Sequence, residues 1–268
     1  MSLDRVQDLL SCPTCAGGMT LDAGSLRCPL GHSFDVARQG YVNLLAGAEP
    51  ANADTAEMLA ARERVQSSGV FAPVAEVVAH LCRGRSPVLE AGSGTGYYLS
   101  AALAADPTVV GVGLDISKAA ARHCARCDVR IGAIVADVWG RLPLHDRSVE
   151  VALSVFAPRN LGEFARVLQP DGRLIAVTPR PDHLAELRAR HDLLDVPAGK
   201  AEQLAGAAAE FFDLVDTRVV KYRVDAAAEV ARDLIAMGPN AFHTLPDSVE
   251  ATSIGIDVTV QSFRPLGA

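Results

Sequence analysis

Four side chains near the start of the chain have the types and spacing to close around a soft metal ion. The segment reads Cys12-Pro-Thr-Cys15, then twelve residues, then Cys28-Pro-Leu-Gly-His32. Two close pairs of thiol and imidazole ligands joined by a short loop can fill the corners of a tetrahedron, the geometry in which structural zinc is held. Pro13, Pro29 and Gly31 suit tight knuckles, and MTLDAGSLR between them predicts a hairpin that turns at Asp22-Ala23-Gly24. A module of roughly 35 residues has no room for a core, so the ion would stand in for one. With all four corners filled by protein, one structural zinc ion is expected rather than a catalytic one. The remaining cysteines carry less. Cys124-Ala-Arg-Cys127 has no partner pair and is expected at a helix end, and Cys82 falls in an apolar helical pattern and is expected in the core.

A second constellation begins at Glu90-Ala-Gly92-Ser-Gly94-Thr-Gly96. Gly92 and Gly94 permit a left-handed backbone and a close approach to a ligand. The next apolar run ends at Asp115, 23 residues after Gly92, where a carboxylate can accept hydrogen bonds from both hydroxyls of a ribose. A dinucleotide fingerprint would place glycine at position 97, which is Tyr97, and the acid at Glu90 would repel a pyrophosphate but tolerate a cationic ligand. Acid-x-G-x-G-x-G, then Asp115, then Asp137 resembles the S-adenosylmethionine series of class I methyltransferases. In that series Asp137 would contact the adenine amine, with Val138 beside the ring.

These residues need elements to hold them. From residue 87 the chain alternates apolar strands and helices, which predicts a parallel sheet covered on both faces, with ligands beyond the carboxyl ends of its strands. Ser117 is placed to cap the helix that follows Asp115. Ahead of this core, residues 54–68 predict a helix capped by Asp54 or Thr55 and ended by Gly69. A second helix starts at Pro73 and closes at Gly84. The pair would cover the mouth of the site. The predicted fold is α/β, a class I (Rossmann-like) methyltransferase with a small N-terminal zinc module. The expected divisions are 1–45 for the zinc module, 46–84 for a helical linker or lid, and 85–268 for the methyltransferase domain.

The chain is 268 residues long, 49% hydrophobic and 21% charged, which fits a folded domain and argues against global disorder. No stretch approaches 18 uninterrupted apolar residues and the first residues do not read as a secretory signal, so a cytoplasmic protein with no membrane partner is expected. The net charge of -7 at first opposes a nucleic-acid partner, because phosphate binding is driven by Lys and Arg. Its distribution does not. Residues 118–190 hold 12 basic and 8 acidic side chains, whereas residues 191–268 hold 6 and 12.

The zinc pattern followed by this core resembles the bacterial 23S ribosomal RNA guanine-N1 methyltransferase family across nearly the whole chain. The resemblance is carried by the two knuckles, FDVARQGYVNLL (34–45), AEMLAARE (56–63), LEAGSGTGYY (89–98), GLDISK (113–118), FAPRN (156–160) and TPRPDHLAEL (178–187). VADVW, FAPRN and AMGP look closest to the actinobacterial branch that contains tylosin-type macrolide-resistance enzymes. That branch modifies a guanine in a hairpin lining the peptide exit tunnel. The resemblance implies cofactor contacts from Phe71, Gly94, Thr95 and His183, besides Glu90, Gly92 and Gly96 of the loop. Tyr98, Ile116 and the acids Asp115 and Asp137 with Val138 complete the expected set. It also implies 23S ribosomal RNA as partner, RNA recognition by the zinc module, and a homodimer. Relatives with Tyr at position 71 have a hydroxyl that Phe71 lacks, and Glu90 stands where many have Asp.

The reaction expected is in-line displacement at a sulfonium methyl by guanine N1, which must first lose its proton. N1 is paired inside a helix, so the target base must be unpaired or flipped. Phe156, Pro158 and Arg159 lie where class I enzymes place the target base: Phe156 could stack, and Arg159 could bind phosphate or O6. Amino-directed relatives carry Asn or Asp with a double proline here, an element this chain lacks. The sequence nominates no general base, with Asp137 and His183 candidates by vicinity alone. Two rivals remain at this point: a small-molecule methyltransferase that dimerises through its zinc module, and an inactive RNA-binding protein, which the intact glycine loop and Asp115 disfavour.

Overall fold

The structure is a computed structural model that describes residues 2–242, 245–246 and 248–267. Two short 3-10 turns, Ser2–Arg5 and Gln7–Leu9, precede a three-stranded antiparallel sheet of β1 (Thr20–Asp22), β2 (Ser25–Arg27) and β3 (Ser33–Asp35). The expected hairpin is β1–β2. Ala23 and Gly24 both take positive φ (48° and 85°), which matches the right-handed twist of a two-residue hairpin. The next strand, β4 (Tyr41–Asn43), leaves this small sheet and joins the large one.

Helices α1 (Ala56–Ser67) and α2 (Ala72–Cys82) follow. Of the two candidate caps for α1, Thr55 serves: its Oγ1 accepts from Met58 N at 3.3 Å, while Asp54 pairs with Arg62. Pro73 sits in the first turn of α2, where its missing N–H costs nothing. The alternating core then runs β5 (Val88–Ala91), α3 (Tyr97–Leu103), β6 (Gly111–Asp115), α4 (Lys118–Cys127), β7 (Ile131–Val135), β8 (Val149–Val155), α5 (Leu161–Val167) and β9 (Leu168–Pro179). Ser117 caps α4 as expected, accepting from Ala120 N. The chain ends with α6 (Ala185–His191), α7 (Lys200–Ala208), β10 (Phe212–Ala226), α8 (Ala228–Ala236) and β11 (Thr252–Pro265).

The large sheet has the order β10-β11-β9-β8-β5-β6-β7-β4. Pairing is parallel from β4 to β9, as predicted for the core, and antiparallel at β9–β11 and β11–β10. One face packs on α2, α3 and α8 through Val74, Val78, Leu99, Leu103 and Leu234. The other packs on α5, α7 and the N-terminal residues Leu3, Val6 and Leu10. The start of the chain therefore serves as a covering element of the sheet. The approach is close: a Cβ at Gly132 in β7 would stand 2.3 Å from Val6 Cγ2. No single helix among the described residues is long and apolar enough to cross a membrane.

Parallel strands bring their carboxyl ends to one rim, and that rim carries the glycine loop, Asp115, Asp137, Phe156 and His183. The antiparallel β11 delivers Asp257 to the same rim, because Arg180 N, just beyond β9, donates to Asp257 O at 3.0 Å.

Candidate active site and metal centre

The knuckles bring the ligand atoms of Cys12, Cys15, Cys28 and His32 within 4.8 Å of one another. Cys28 Sγ lies 3.2 Å and Cys12 Sγ 3.6 Å from His32 Nδ1, and Cys15 Sγ lies 3.6 Å from Cys28 Sγ. Zinc–ligand bonds of about 2.0–2.3 Å in a tetrahedron require edges of roughly this length. The donor set therefore fits one zinc ion with no corner open for catalysis, and Nδ1 is the imidazole nitrogen that faces it. All six cysteines are free thiols. Burial tends to raise the Cys28 thiol, but hydrogen bonds from Cys15 and His32 outweigh it and bring the group down to about 6, toward the thiolate a metal needs. Cys124 and Cys127 are helix-end thiols as expected, Cys127 resting 3.0 Å from the Cys124 carbonyl, and His123 faces Glu63 instead. Cys82 is buried in the core.

At the rim, Asp115 organises the cofactor loop. Its Oδ2 accepts from Gly94 N at 2.8 Å and its Oδ1 from Ser117 N at 2.9 Å, so one carboxylate ties the glycine loop to the start of α4. Burial raises its pKa against those two donors. Gly92 has φ +74°, and a Cβ there would stand 2.5 Å from that of Ala157. A Cβ on Gly94 would stand 2.9 Å from Arg62 Nη1. Glu90 lies beneath the loop, almost fully buried, and its Oε2 accepts from Leu99 N at 3.1 Å. Its carboxylate thus caps the first turn of α3, where the helix dipole favours negative charge. Burial pushes its pKa well above the ordinary carboxylate value.

Of the two helices ahead of the core, α1 reaches the glycine loop, while α2 packs on the face of the sheet. Thr95 Oγ1 donates to Gln66 Oε1 of α1 at 2.6 Å. Arg62 pairs with Asp54 at 2.5 Å and donates to Met237 O at 2.7 Å, which places it over Gly94. Arg62 and Gln66 had no expected role, and Asp54, a candidate cap, pairs with Arg62 instead. The matched AEMLAARE segment contained Arg62, and that was the available signal.

Phe71, Tyr98, Phe156 and His183 converge from four separate segments. Phe71 lies 6.0 Å from Phe156 and 6.2 Å from His183. Phe156 stacks on His183 at 5.7 Å, and Tyr98 lies 6.5 Å from Phe156. Phe156 alone is exposed, and its backbone is left-handed (φ 53°). Burial, with the Arg188 charge, lowers His183 to about 4, so the ring is neutral at pH 7. Its Nδ1 accepts from Asp257 N at 3.3 Å, which puts the proton of the neutral ring on Nε2. A neutral imidazole adds no positive charge of its own to the aromatic faces, and such faces attract an onium cation.

Of the other expected residues, Ile116 is half-buried and follows Asp115 directly, and Val138 is buried. Asp137 Oδ1 accepts from Trp139 N at 2.9 Å, and Trp139 stands exposed beside it. Pro158 is exposed. Arg159 is half-buried, with Nη2 donating to Val177 O at 3.2 Å. The contacts bring Phe71, Tyr98, Phe156 and His183 together and tie Gly94 to Asp115, while the zinc cluster forms separately at the knuckles.

Residues 10–49 match a zinc-ribbon family model described as RlmA, N-terminal, and residues 88–172 match a methyltransferase-domain model. A Streptomyces fradiae 23S rRNA (guanine(748)-N(1))-methyltransferase is 41% identical, over 96% of this chain and 97% of its own length. The chain belongs to the 23S rRNA (guanine-N1)-methyltransferase family. A Micromonospora griseorubida protein named for the same guanine-N(1) reaction is 43% identical over the same shares. Among solved structures, a Haloferax volcanii methyltransferase in complex with the Trm112 methyltransferase activator shares the fold. It has a TM-score of 0.50 and 17% identity, over 79% of this chain and 98% of its own. Membership in this guanine-N1 methyltransferase family extends through the zinc segment. The small-molecule reading, which needed that segment to be an unrelated dimerisation device, is not favoured. The cofactors of the family follow from the same matches: S-adenosylmethionine in the core domain and one zinc ion in the ribbon.

Proposed function

We propose that the protein methylates N1 of a guanine in a hairpin of 23S ribosomal RNA near the peptide exit tunnel, and that this confers tylosin-type macrolide resistance. The aromatic cluster beside the glycine loop carries this reading, because it joins a cation-accepting site to an exposed ring that can stack a base. The relationship to the Streptomyces fradiae enzyme supports the nucleotide, the guanine equivalent to its position 748.

S-adenosylmethionine, when bound, supplies an electrophilic methyl on a sulfonium. In the proposed arrangement Asp115 accepts from the ribose hydroxyls while the Gly94 and Ser117 N–H groups hold it in place. Asp137 receives the adenine amine and Val138 and Ile116 flank the ring. Gly92, Gly94, Thr95 and Gly96 line the chain of the amino acid, and Glu90 fixes the loop from below. Phe71, Tyr98 and His183 would offer apolar ring faces to the sulfonium and exclude water. Phe156 and Pro158 meet the target base and Arg159 its O6 or phosphate. His183 does not serve as the base, since its acceptor nitrogen is committed to Asp257 N and its pKa is about 4. Residues 1–45 form the RNA-recognising module, 46–84 the lid and 85–268 the catalytic domain, in a homodimer.

The deciding experiment mixes purified protein, labelled cofactor and unmodified 23S RNA. Methylation at N1 blocks pairing, so primer extension should stop at one guanine in a hairpin. Label without a stop would overturn N1 as the target, and susceptibility to tylosin unchanged by expression of the protein would overturn the resistance role.

A further inference from the structure

Among the described residues, five buried side-chain polar atoms have no hydrogen-bond partner: Ser93 Oγ, Arg159 Nε, Thr178 Oγ1, Asp257 Oδ1 and Gln261 Oε1. Buried polar groups are nearly always paired, so a place where orphans gather points to a missing partner. Ser93 lies in the glycine loop, and Gln261 lies four residues along β11 from Asp257, about 13 Å away. The other three gather at the carboxyl end of β9. Arg159 reaches the carbonyl of Val177, the residue before Thr178. Thr178 is in register with Thr259 of β11, two residues from Asp257, so the two side chains share a face. Asp257 N meets His183, whose ring stacks on Phe156. The orphans therefore border the cluster where methyl and base are proposed to meet.

The Asp257 carboxylate is only 2% exposed. Two cations flank it, Arg180 Nη1 at 3.4 Å from Oδ1 and Lys221 Nζ at 3.5 Å from Oδ2. Lys221 is closer to Asp182, at 2.8 Å. The flanking charges keep a buried carboxylate in place while Oδ1 retains an unused acceptor site. Guanine offers a complementary edge: an acceptor, O6, next to a donor, N1–H. A carboxylate oxygen beside a guanidinium N–H and a hydroxyl matches that order.

We propose that Asp257 is the catalytic base, its Oδ1 accepting the N1 proton of the target guanine while Arg159 Nε and Thr178 Oγ1 donate to O6. This rests on the guanine-N1 reading above. The proton passes from N1 to the carboxylate, and the N–H electron pair stays on the purine, shared with O6. That pair then forms the N1–C bond as the methyl's C–S pair returns to sulfur, leaving a neutral thioether, a methylated guanine and a carboxylic acid that solvent deprotonates. The ionisable groups that face Asp257 are themselves held by partners or by burial. Lys221 is raised by Asp182, and Asp182 is lowered by Lys221. His183 is at about 4. Glu186 on α6, despite burial, is held low by Gly255 N and Arg223. Arg180 presents its guanidinium to Oδ1 at 3.4 Å.

The test compares wild type with Asp257→Asn, which keeps the shape, and Asp257→Ala. Single-turnover methylation of a 23S hairpin transcript at pH 7 should fall about 100-fold or more in Asp257→Asn. Cofactor affinity by calorimetry should stay within about twofold of wild type. Raising the pH from 6.5 to 9 should recover the variant rate by about tenfold per unit, as hydroxide removes the N1 proton instead. In a complex with S-adenosylhomocysteine and a 15N-guanine-labelled hairpin, the target imino proton should move downfield for wild type and not for the variants. A variant that methylates as fast as wild type, fails equally at every pH, or loses cofactor affinity overturns the assignment alone. A wild-type protein that marks no guanine overturns the substrate reading and this assignment with it.

Discussion

Asp115 ties the glycine loop to the start of α4 at the position proposed to meet the ribose. Both carboxylate oxygens already hold a backbone N–H, from Gly94 and from Ser117, so the acceptor is fixed before any ligand arrives. Asp115→Ala removes the proposed ribose acceptor and orphans two buried donors, each worth about 1–3 kcal/mol. Calorimetry should show cofactor affinity reduced by about 100-fold or more, and unchanged affinity would remove the ribose assignment. His183 gives a second, pH-dependent prediction. Its folded pKa is about 4, depressed by burial from an ordinary 6.5. The unfolded chain therefore binds more protons between those values. Its contribution to stability is full above pH 6.5 and is lost as pH falls toward 4, with a span of about 3 kcal/mol. Denaturation across that window should show this loss in wild type. His183→Phe, which keeps a ring against Phe156, should flatten it, and an unaltered slope would mean that His183 is not held neutral. The sequence made some of these residues legible and not others. Asp115 and the glycines announce themselves because their chemistry requires fixed local spacing. Glu90 was visible as an acid, but its capping of Leu99 N depends on how α3 turns back over β5. Asp257 carried no local signal, since only the antiparallel entry of β11 brings it to the rim.

At the scale of elements, the zinc ribbon and the large sheet are not independent. The knuckles and hairpin were readable from their spacing, but the destination of β4 was not. Three residues, Tyr41–Asn43, add a parallel edge strand to β7, and Leu44 N continues the ladder to Val135 O at 2.9 Å. Leu10 bridges to Leu144, and Leu3 and Val6 cover β7. Each of these fully buried side chains contributes about 1.5–3 kcal/mol by leaving water. A metal that closes the knuckles thus also holds a lid of apolar side chains on the sheet. One zinc should copurify per chain. Its removal by chelation, or Cys28→Ser, should raise amide exchange in residues 12–35 and also in 131–135 and 142–144. Exchange confined to the ribbon would show that the sheet holds its edge without it. The same comparison explains what sequence pattern missed at the other edge. β10 alternates exposed and half-buried residues along most of its length, so it lacks the continuous apolar run that revealed the parallel strands.

For the whole molecule the question is how a chain of charge -7 engages RNA. The twelve basic residues of 118–190 are not all available. Arg130, Arg141, Arg166, Arg180 and Arg188 each face a carboxylate within 4.0 Å. That leaves seven without an ion pair among the described residues, and one of them, Arg159, is half-buried at the proposed base pocket. Binding to single-stranded RNA releases counterions with a slope of about -0.7 per neutralised phosphate. Even if all seven met phosphates, log affinity against log salt should fall no more steeply than about -5. Recognition must then come from loop shape, the flipped base and stacking, for which Phe156 and Trp139 stand exposed on the rim. Titrations of a 23S hairpin transcript from 50 to 300 mM salt should give a slope shallower than that limit. The same sequence constrained as a perfect duplex should bind much more weakly at every salt concentration. A steep slope shared equally by both RNAs would mean that generic phosphate contact, from surfaces outside 118–190, drives binding.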